Sequence, residues 1–136
     1  MADALADGVA TAHAIKGADE ADIRATIDDY YLGWYDGDAE RMARALHPDL
    51  AKRGWHDIGA DVPRIDPDTF SSMIEWTRAG QGRRTDEAGR RYRAEINDVY
   101  GDVAAVVVHA VPYVDYLHLV RTADGWRILN ALWCPA

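Results

Sequence analysis

The sequence predicts an α+β protein in which a curved antiparallel sheet is covered on one side by helices. Four apolar-rich runs between residues 91 and 133 are separated by turn signals at Gly101-Asp102, at Pro112 and at 123–125. Runs of this length between glycine- and proline-marked turns are typical of a β-meander. Apolar residues at helical spacing precede the runs, so the expected helices can lie on one face of the sheet. A curved sheet closed by helices encloses a pocket.

The first predicted helix has an apolar stripe that ends in aromatic rings. It begins near Asp19, where a carboxylate can accept hydrogen bonds from the free N–H groups of the first turn. The stripe consists of Ile23, Ile27, Tyr30, Tyr31 and Trp34. Gly37 ends the helix. Its C-terminal half therefore presents bulky rings with polar tips to the sheet that it covers.

Two further helices and one strand are expected before the meander. Asp38 caps a short second helix, which ends before Pro48 because proline disfavours helical geometry at the preceding residue. Residues 49–57 are too short and too glycine-marked for a helix, and they are predicted to form an isolated strand. Asp66 and Pro67 are predicted as the cap and the first residue of the third helix, with a solvated loop at 81–90.

Length, charge and cysteine content exclude several classes of protein. The 136 residues suit one domain, for which we expect residues 18–136, preceded by a flexible extension at 1–17. No apolar run reaches the roughly 18 residues of a membrane span. The 23 acidic and 15 basic side chains give a net charge of -8, which disfavours nucleic acid as a partner. Cys134 is alone, so no internal disulfide can form, and a cytoplasmic location is expected.

The order helix, helix, strand, helix and meander resembles the nuclear-transport-factor-2-like cone fold over residues 18–134. The segments YYLGWYDGDAERMARALHPDLAKR at 30–53 and DYLHLVRTADGWRILNALW at 115–133 look most like the small bacterial group called putative lumazine-binding proteins. The resemblance implies a cone-shaped, curved antiparallel sheet covered by three N-terminal helices. It leaves the function open, because this fold hosts isomerases, dehydratases, polyketide cyclases and oligomerisation modules.

Tyr30 is the one position that matches the catalytic pattern of the related ketosteroid isomerases. In those enzymes a tyrosine seven residues before the helix-ending Gly-Asp donates a hydrogen bond to a developing oxyanion, and Tyr30 stands seven residues before Gly37-Asp38. The resemblance therefore implies an oxyanion donor at Tyr30. The alternative is that Tyr30 is a core aromatic on a buried helix face.

The general base of those isomerases has no counterpart, because its position falls at Gly54. His56 shares strand parity with Gly54 and is the nearest candidate for proton transfer, although an exposed histidine is also common near a strand end. The second oxyanion donor falls near Leu117 and His118, where His118 could serve. Asp115 shares the face of Leu117, so at most one of Asp115 and His118 faces the pocket.

The run at 103–111 is apolar on both faces, which predicts that both faces are covered. One face would meet the helices and the other a second subunit, so a homodimer through the sheet is expected. His109 on this run is either directed at the pocket or hydrogen-bonded in that interface. The histidines lack the short spacings of a helical metal pair, so neither a metal nor another cofactor is expected.

Five tryptophans in 136 residues suggest flat apolar walls for a planar ligand. Trp34 and Trp76 are the pocket candidates, together with Met73. The alternative is that tryptophans fill the core, and we favour this for Trp126 and Trp133.

Three functions remain open from the sequence. The first is a pocket that binds a small planar hydrophobic or heteroaromatic molecule; the expected contacts are Trp34, Met73, Trp76, His109 and Asp115. The second is an isomerase or dehydratase that uses acid-base catalysis; its expected residues are Tyr30, His56 and His118. The third is a ligand-free dimerisation module. A cavity of about 300 Å³ or more that holds a histidine and Tyr30 would favour the first two.

Overall fold

The computed structural model describes residues 17–56 and 62–136, which form three α-helices packed on a six-stranded sheet. The elements are α1 (Gly17–Asp36), α2 (Ala39–Ala45), β1 (Leu46–His56), β2 (Arg64–Asp68), α3 (Phe70–Arg78), β3 (Tyr92–Tyr100), β4 (Val103–Ala110), β5 (Tyr113–Thr122) and β6 (Gly125–Pro135). A single 3-10 turn at Ala88–Arg90 precedes β3. The predicted flexible extension lies outside the described residues, except for Gly17, which begins α1.

The first two helices form where the sequence predicts them. Gly37 ends α1 with a φ of 68°, a left-handed conformation that costs glycine little. Asp38 then caps α2, and its Oδ1 accepts a hydrogen bond of 3.1 Å from Arg41 N. Gly33 allows the two helices to approach closely, since a Cβ there would lie 3.0 Å from Met42 N. This packing fixes the aromatic end of α1 over the sheet.

The third helix begins later than the sequence predicts. Asp66 and Pro67 belong to β2, and the helix cap is Thr69, which exchanges side-chain and backbone hydrogen bonds with Ser72. Such a reciprocal capping box satisfies two free backbone donors, which a carboxylate followed by proline does not. Pro67 is tolerated in β2 because β2 is an edge strand. The prediction of Asp66 as the cap is therefore wrong.

The sheet has the strand order β2-β1-β6-β5-β4-β3. The predicted meander forms β3 to β6 with antiparallel pairing throughout. The first strand is not isolated: β1 pairs antiparallel with β2 and parallel with β6. Irregularities between Ile96 and Asp98 and between His118 and Leu119 shift the register, and such bulges bend a sheet. The curved, unclosed sheet under three helices confirms the predicted α+β cone.

The core lies between the helices and the concave face of the sheet. Its largest fully buried side chains are Trp126, Tyr31, Tyr35, Ile23, Ile27, Met42, Leu46, Leu117, Leu119, Ile128, Val106 and Val108. Burying one such side chain contributes about 1.5–3 kcal/mol. Trp126 is a core residue, as the sequence suggests. The convex face of the meander is not covered within the chain, and Val103 on that face is 51% exposed.

Candidate functional site

A cavity of about 100 Å³ lies between α1, α3 and the concave face of the sheet. It is lined by Tyr30, Tyr31, Trp34, Lys52, Asp68, Met73, Trp76, Tyr113, Asp115 and Trp133. The structure thus brings together five residues that the sequence singles out. Met73 and Asp115 are buried, whereas Trp76 is 48% exposed, which places the mouth of the cavity at Trp76.

The cavity is smaller than the pocket expected from the sequence. Drug-sized ligands occupy roughly 300–1,000 Å³, and no described histidine lines this cavity. A dry cavity of about 150 Å³ is known to bind benzene, so the enclosed space of about 100 Å³ here holds at most one small ring. A larger ligand would have to extend through the mouth at Trp76.

Asp68 and Tyr113 line the cavity without having been predicted as site residues, and so does Lys52. Its Nζ donates a hydrogen bond to the Tyr30 hydroxyl oxygen and lies 4.9 Å from the centroid of the Tyr30 ring. Strand alternation was the signal that could have found it, because Lys52 shares parity with Gly54 and His56.

The environment of Tyr30 keeps its phenol protonated. Burial raises the pKa of Tyr30 well above its usual value, and the negative charge of Asp115 adds to this. The Tyr30 oxygen accepts the hydrogen bond from Lys52, and its own proton has no acceptor among the described residues. Tyr30 is thus both a core residue and a hydrogen-bond donor available at the cavity.

Asp115 is a buried carboxyl with only one of its two oxygens satisfied. It is 3% exposed; the Tyr31 hydroxyl donates to Oδ2, and Oδ1 has no partner among the described residues. Burial raises the pKa of Asp115, against the opposing effects of Lys52 and Tyr31. Burial likewise lowers the pKa of Lys52, which Asp115 and Asp68 oppose. Lys52 and Asp115 thus interact electrostatically, but no ion pair within 4.0 Å joins them.

Trp133 occupies the space that a side chain at position 54 would need. Gly54 and Trp133 are partners across β1 and β6, and a Cβ at Gly54 would lie 2.5 Å from Trp133 Cε2. Glycine is therefore required by the close approach of the indole ring. Trp133 lines the cavity instead of filling the core, and its Nε1 is buried without a partner among the described residues.

The other aromatic walls lie where the sequence predicts them. Trp34 Nε1 is 3.5 Å from the Tyr113 hydroxyl, and Trp76 Nε1 donates a hydrogen bond of 3.0 Å to Asp68 Oδ1. Gly82 leaves room for the Trp34 ring, since a Cβ there would lie 2.2 Å from the indole. These contacts hold two indoles at the rim of the cavity.

His109 and His118 lie on the convex face of the sheet, away from the cavity. On β5, Asp115 and Leu117 are buried while His118 is exposed and contacts Asn130, with 3.4 Å between His118 Nδ1 and Asn130 Nδ2. On β4, His109 is exposed on the same face as Val103. The prediction that these two histidines lie at the pocket is therefore wrong. Side chains alternate between the two faces of a strand, and the residues next to each histidine are the ones that face the core.

His56 lies next to the cavity wall but does not line the cavity. Its ring packs edge-on against Trp133, with ring centroids 4.9 Å apart. Its Nε2 is 2.9 Å from Asp66 Oδ2, without hydrogen-bond alignment. At this contact Trp133 lines the cavity and His56 does not.

Within residues 17–56 and 62–136, no group of three or more His, Cys, Asp or Glu side chains is arranged to hold a metal ion. No helix in the same ranges is long and apolar enough to cross a membrane.

Three helices over a curved open sheet, with a small aromatic cavity between them, define a protein with the NTF2-like cone fold. The chain belongs to the family described as "Putative lumazine-binding", whose model matches residues 18–134. No curated protein matches the chain.

Solved structures from other organisms share this fold. An NTF2-like protein of unknown function from Methylobacillus flagellatus is 20% identical with a TM-score of 0.67, over 90% of this chain and 95% of that one. An NTF-2 like protein from Silicibacter pomeroyi is 16% identical with a TM-score of 0.68, over 90% of this chain and 100% of that one. A cystatin-like fold protein from Burkholderia xenovorans is 16% identical with a TM-score of 0.57, over 88% and 93%. Similarity at this identity concerns the fold alone.

Proposed function

We propose that the chain binds a small planar heteroaromatic molecule whose edge carries a hydrogen-bond donor beside an acceptor. The observation that carries this proposal is a pair of buried polar atoms without partners among the described residues, Asp115 Oδ1 and Trp133 Nε1. The two residues are direct partners across β5 and β6, and both line the cavity. A buried polar atom without a partner costs about 1–3 kcal/mol. A ligand that supplies both partners would remove this cost.

The remaining groups of the cavity suit the same class of ligand. Indole faces at Trp34 and Trp76 can stack on a planar ring. A lactam or pyrimidinedione edge alternates N–H and C=O, so its N–H can donate to Asp115 while its carbonyl accepts from Trp133 or Tyr30. The family description names lumazine, a fused ring system with such an edge, which supports this class.

Ligand titrations test the proposal. We expect uracil and lumazine to quench tryptophan fluorescence and to bind at least about tenfold more tightly than toluene, which fits the walls but satisfies neither polar atom. Isothermal calorimetry would give the affinities. Because the enclosed volume matches one ring, uracil tests the interior and lumazine tests extension through the mouth. Equal affinity for toluene and uracil would contradict the proposal.

Asp115→Asn is the matched variant for this experiment. Its amide oxygen would accept from Tyr31, so its NH₂ group would face the N–H of the ligand. We expect affinity for uracil to fall by about 10–100-fold. His118→Ala, on the same strand but the opposite face, should leave the affinity unchanged within about twofold. An unchanged affinity in the folded Asp115→Asn protein would remove Asp115 from the site.

A second candidate function is an isomerase or dehydratase that uses acid-base catalysis. The available proton of Tyr30 supports it, since a phenol in a water-poor cavity can stabilise an oxyanion. The proton-transfer group would be Asp115, whose pKa burial raises, because no described histidine lines the cavity. Catalysis would appear as a loss of turnover of about tenfold or more in Tyr30→Phe at unchanged ligand affinity.

We also propose that two copies associate through the convex face. Tyr116 and Leu132 are cross-strand partners there and are 55% and 54% exposed, and Val107 extends the row onto β4. The row is flanked by Arg53 on β1, opposite Leu132, and by Glu95 on β3, opposite Val107. An apolar row between charges of opposite sign favours self-association in a chain of net charge -8, because its centre brings no like charges together.

Sedimentation equilibrium tests this association. The wild-type chain should sediment as a dimer, and Leu132→Glu should shift it to a monomer with unchanged circular dichroism. Val62→Glu is the matched control, since Val62 is 75% exposed but lies outside the apolar row. A monomeric wild-type chain would contradict the dimer and with it the dimerisation-module alternative.

A further inference from the structure

Lysine is scarce in this chain, and its position is informative. Of the 15 basic side chains only two are lysines, Lys16 and Lys52; the others are arginines. Lys52 is the single lysine within the described ranges, and it lines the cavity. Arginine carries surface charge as well as lysine does, but only lysine becomes a neutral amine at accessible pH. The one described lysine is therefore located where an amine can meet a bound molecule.

The contacts of Lys52 are those of a positioned amine. The hydrogen bond to the Tyr30 hydroxyl fixes Nζ, and the ring centroids of Tyr30 and Trp133 lie 4.9 and 5.9 Å from it. No carboxylate within 4.0 Å neutralises it as an ion pair. Although the residue keeps some solvent contact, burial of the ammonium group lowers the pKa of Lys52, and Asp115 and Asp68 act against this. Desolvation of this kind activates lysine as a nucleophile.

We propose that Lys52 forms an imine with a small neutral aldehyde or ketone that enters the cavity. This reactivity goes beyond non-covalent binding, although it rests on the same cavity being open to small molecules. The carbonyl class follows from the surroundings. The Asp68 carboxylate disfavours an anionic carbonyl compound, and the apolar walls at Met73 and Trp133 favour a flat or aliphatic one of about one ring in size.

The groups around Lys52 can supply the hydrogen bond and the proton transfers that imine formation requires. The neutral amine nitrogen forms a bond to the carbonyl carbon, and the carbonyl π electrons move to the oxygen, where the Tyr30 hydroxyl can donate a hydrogen bond. Transfer of one proton from nitrogen to oxygen gives the carbinolamine. Asp115, whose raised pKa helps it keep a proton, can protonate the carbinolamine hydroxyl, which leaves as water as the C=N bond forms. The nitrogen then returns a proton to the carboxylate, so amine and carbonyl yield imine and water.

Reductive trapping tests the proposal on the wild-type protein. The folded chain is incubated at pH 7 with benzaldehyde and sodium cyanoborohydride, whose hydride converts any imine into a stable secondary amine. Peptide mapping by mass spectrometry then locates the benzyl groups. We expect Lys52 to be labelled at least about tenfold faster than Lys16, which serves as the internal comparison. Glyoxylate, a small anionic aldehyde, should label Lys52 more slowly than benzaldehyde does.

Variants and the opposite outcomes complete the test. Lys52→Arg should abolish the fast labelling, Lys16→Arg should leave it unchanged, and Tyr30→Phe should slow it while the protein stays folded. Labelling confined to Lys16 and the terminal amine of the folded wild-type chain would overturn the proposal. Faster labelling by glyoxylate would overturn the substrate class. Uracil affinity is measured separately, so a failure here is distinguishable from a failure of the proposed binding function.

Discussion

Gly54→Ala is expected to destabilise the fold by about 2–3 kcal/mol, the upper part of the range for overpacking a buried site. The added Cβ would lie 2.5 Å from Trp133 Cε2, 2.6 Å from Cζ2 and 2.8 Å from Nε1, so the indole must move as a rigid ring. The backbone at Gly54 does not have a positive φ, so the cost arises from contact and not from backbone strain. Chemical denaturation followed by circular dichroism measures this cost.

The control for this substitution is Gly17→Ala. Beyond its chain neighbours and its own helix backbone, no atom of the described residues lies within 4 Å of a Cβ at Gly17, so this change should alter stability by no more than about 0.5 kcal/mol. In a double-mutant cycle, Trp133→Leu should relieve part of the cost, with a coupling of at least about 1 kcal/mol. Wild-type stability in Gly54→Ala would mean that the indole does not occupy this space. Displacement of Trp133 should also weaken uracil binding, because Trp133 lines the cavity.

Tyr31→Phe is expected to cost about 2–3 kcal/mol at pH 7, because it leaves both oxygens of the buried Asp115 carboxyl without a donor. Burial already raises the pKa of Asp115, while the hydrogen bond from Tyr31 lowers it. A raised pKa in the folded state means that the contribution of this carboxyl to stability is fully present below its unfolded pKa and is lost as the pH rises through the folded pKa. The variant raises the folded pKa further.

The loss of folding stability caused by Tyr31→Phe should therefore grow as the pH rises. Near pH 4, where the carboxyl is protonated to a greater extent, the hydrogen bond is closer to a neutral one, and the cost should fall to about 1 kcal/mol. Tyr92→Phe is the matched control: its hydroxyl donates a hydrogen bond of 2.5 Å to Asp28 at the surface. That variant should lose less than about 1 kcal/mol. A cost of Tyr31→Phe that does not change with pH would show that Asp115 does not titrate in the folded protein.

The elements of the fold were predictable where their signals are local. The caps at Gly37 and Asp38 and the meander turns depend on a few neighbouring residues, and they lie where the sequence places them. The start of α3 was mispredicted because two capping signals compete within a few residues. Pairing of β1 with β6 joins segments about 80 residues apart, as in Gly54 and Trp133. No local pattern encodes that contact.

The candidate site was predictable only in part. Trp34 and Met73 lie on apolar helical faces, which must turn toward the sheet. The site role of Tyr30 came from the resemblance to the isomerases, and Trp76 was inferred because its helix overlooks the cavity. The histidines were misplaced because alternation tells which residues share a face and does not tell which face is inward. Lys52 was overlooked because its importance depends on Tyr30, which reaches it from another element.

The amino-acid sequence by itself determined the class of fold, the aromatic face of α1 and the number of strands in the meander, because hydrophobic period and turn residues act over short stretches of chain. Only the tertiary structure decided that Asp115 and Lys52 face the cavity, that His109 and His118 face away, and that an indole occupies the space at Gly54. These features follow from the register of strands far apart in sequence and from the bend of the sheet. Strand register and sheet curvature are set by packing over the whole core, so no short stretch of sequence determines them.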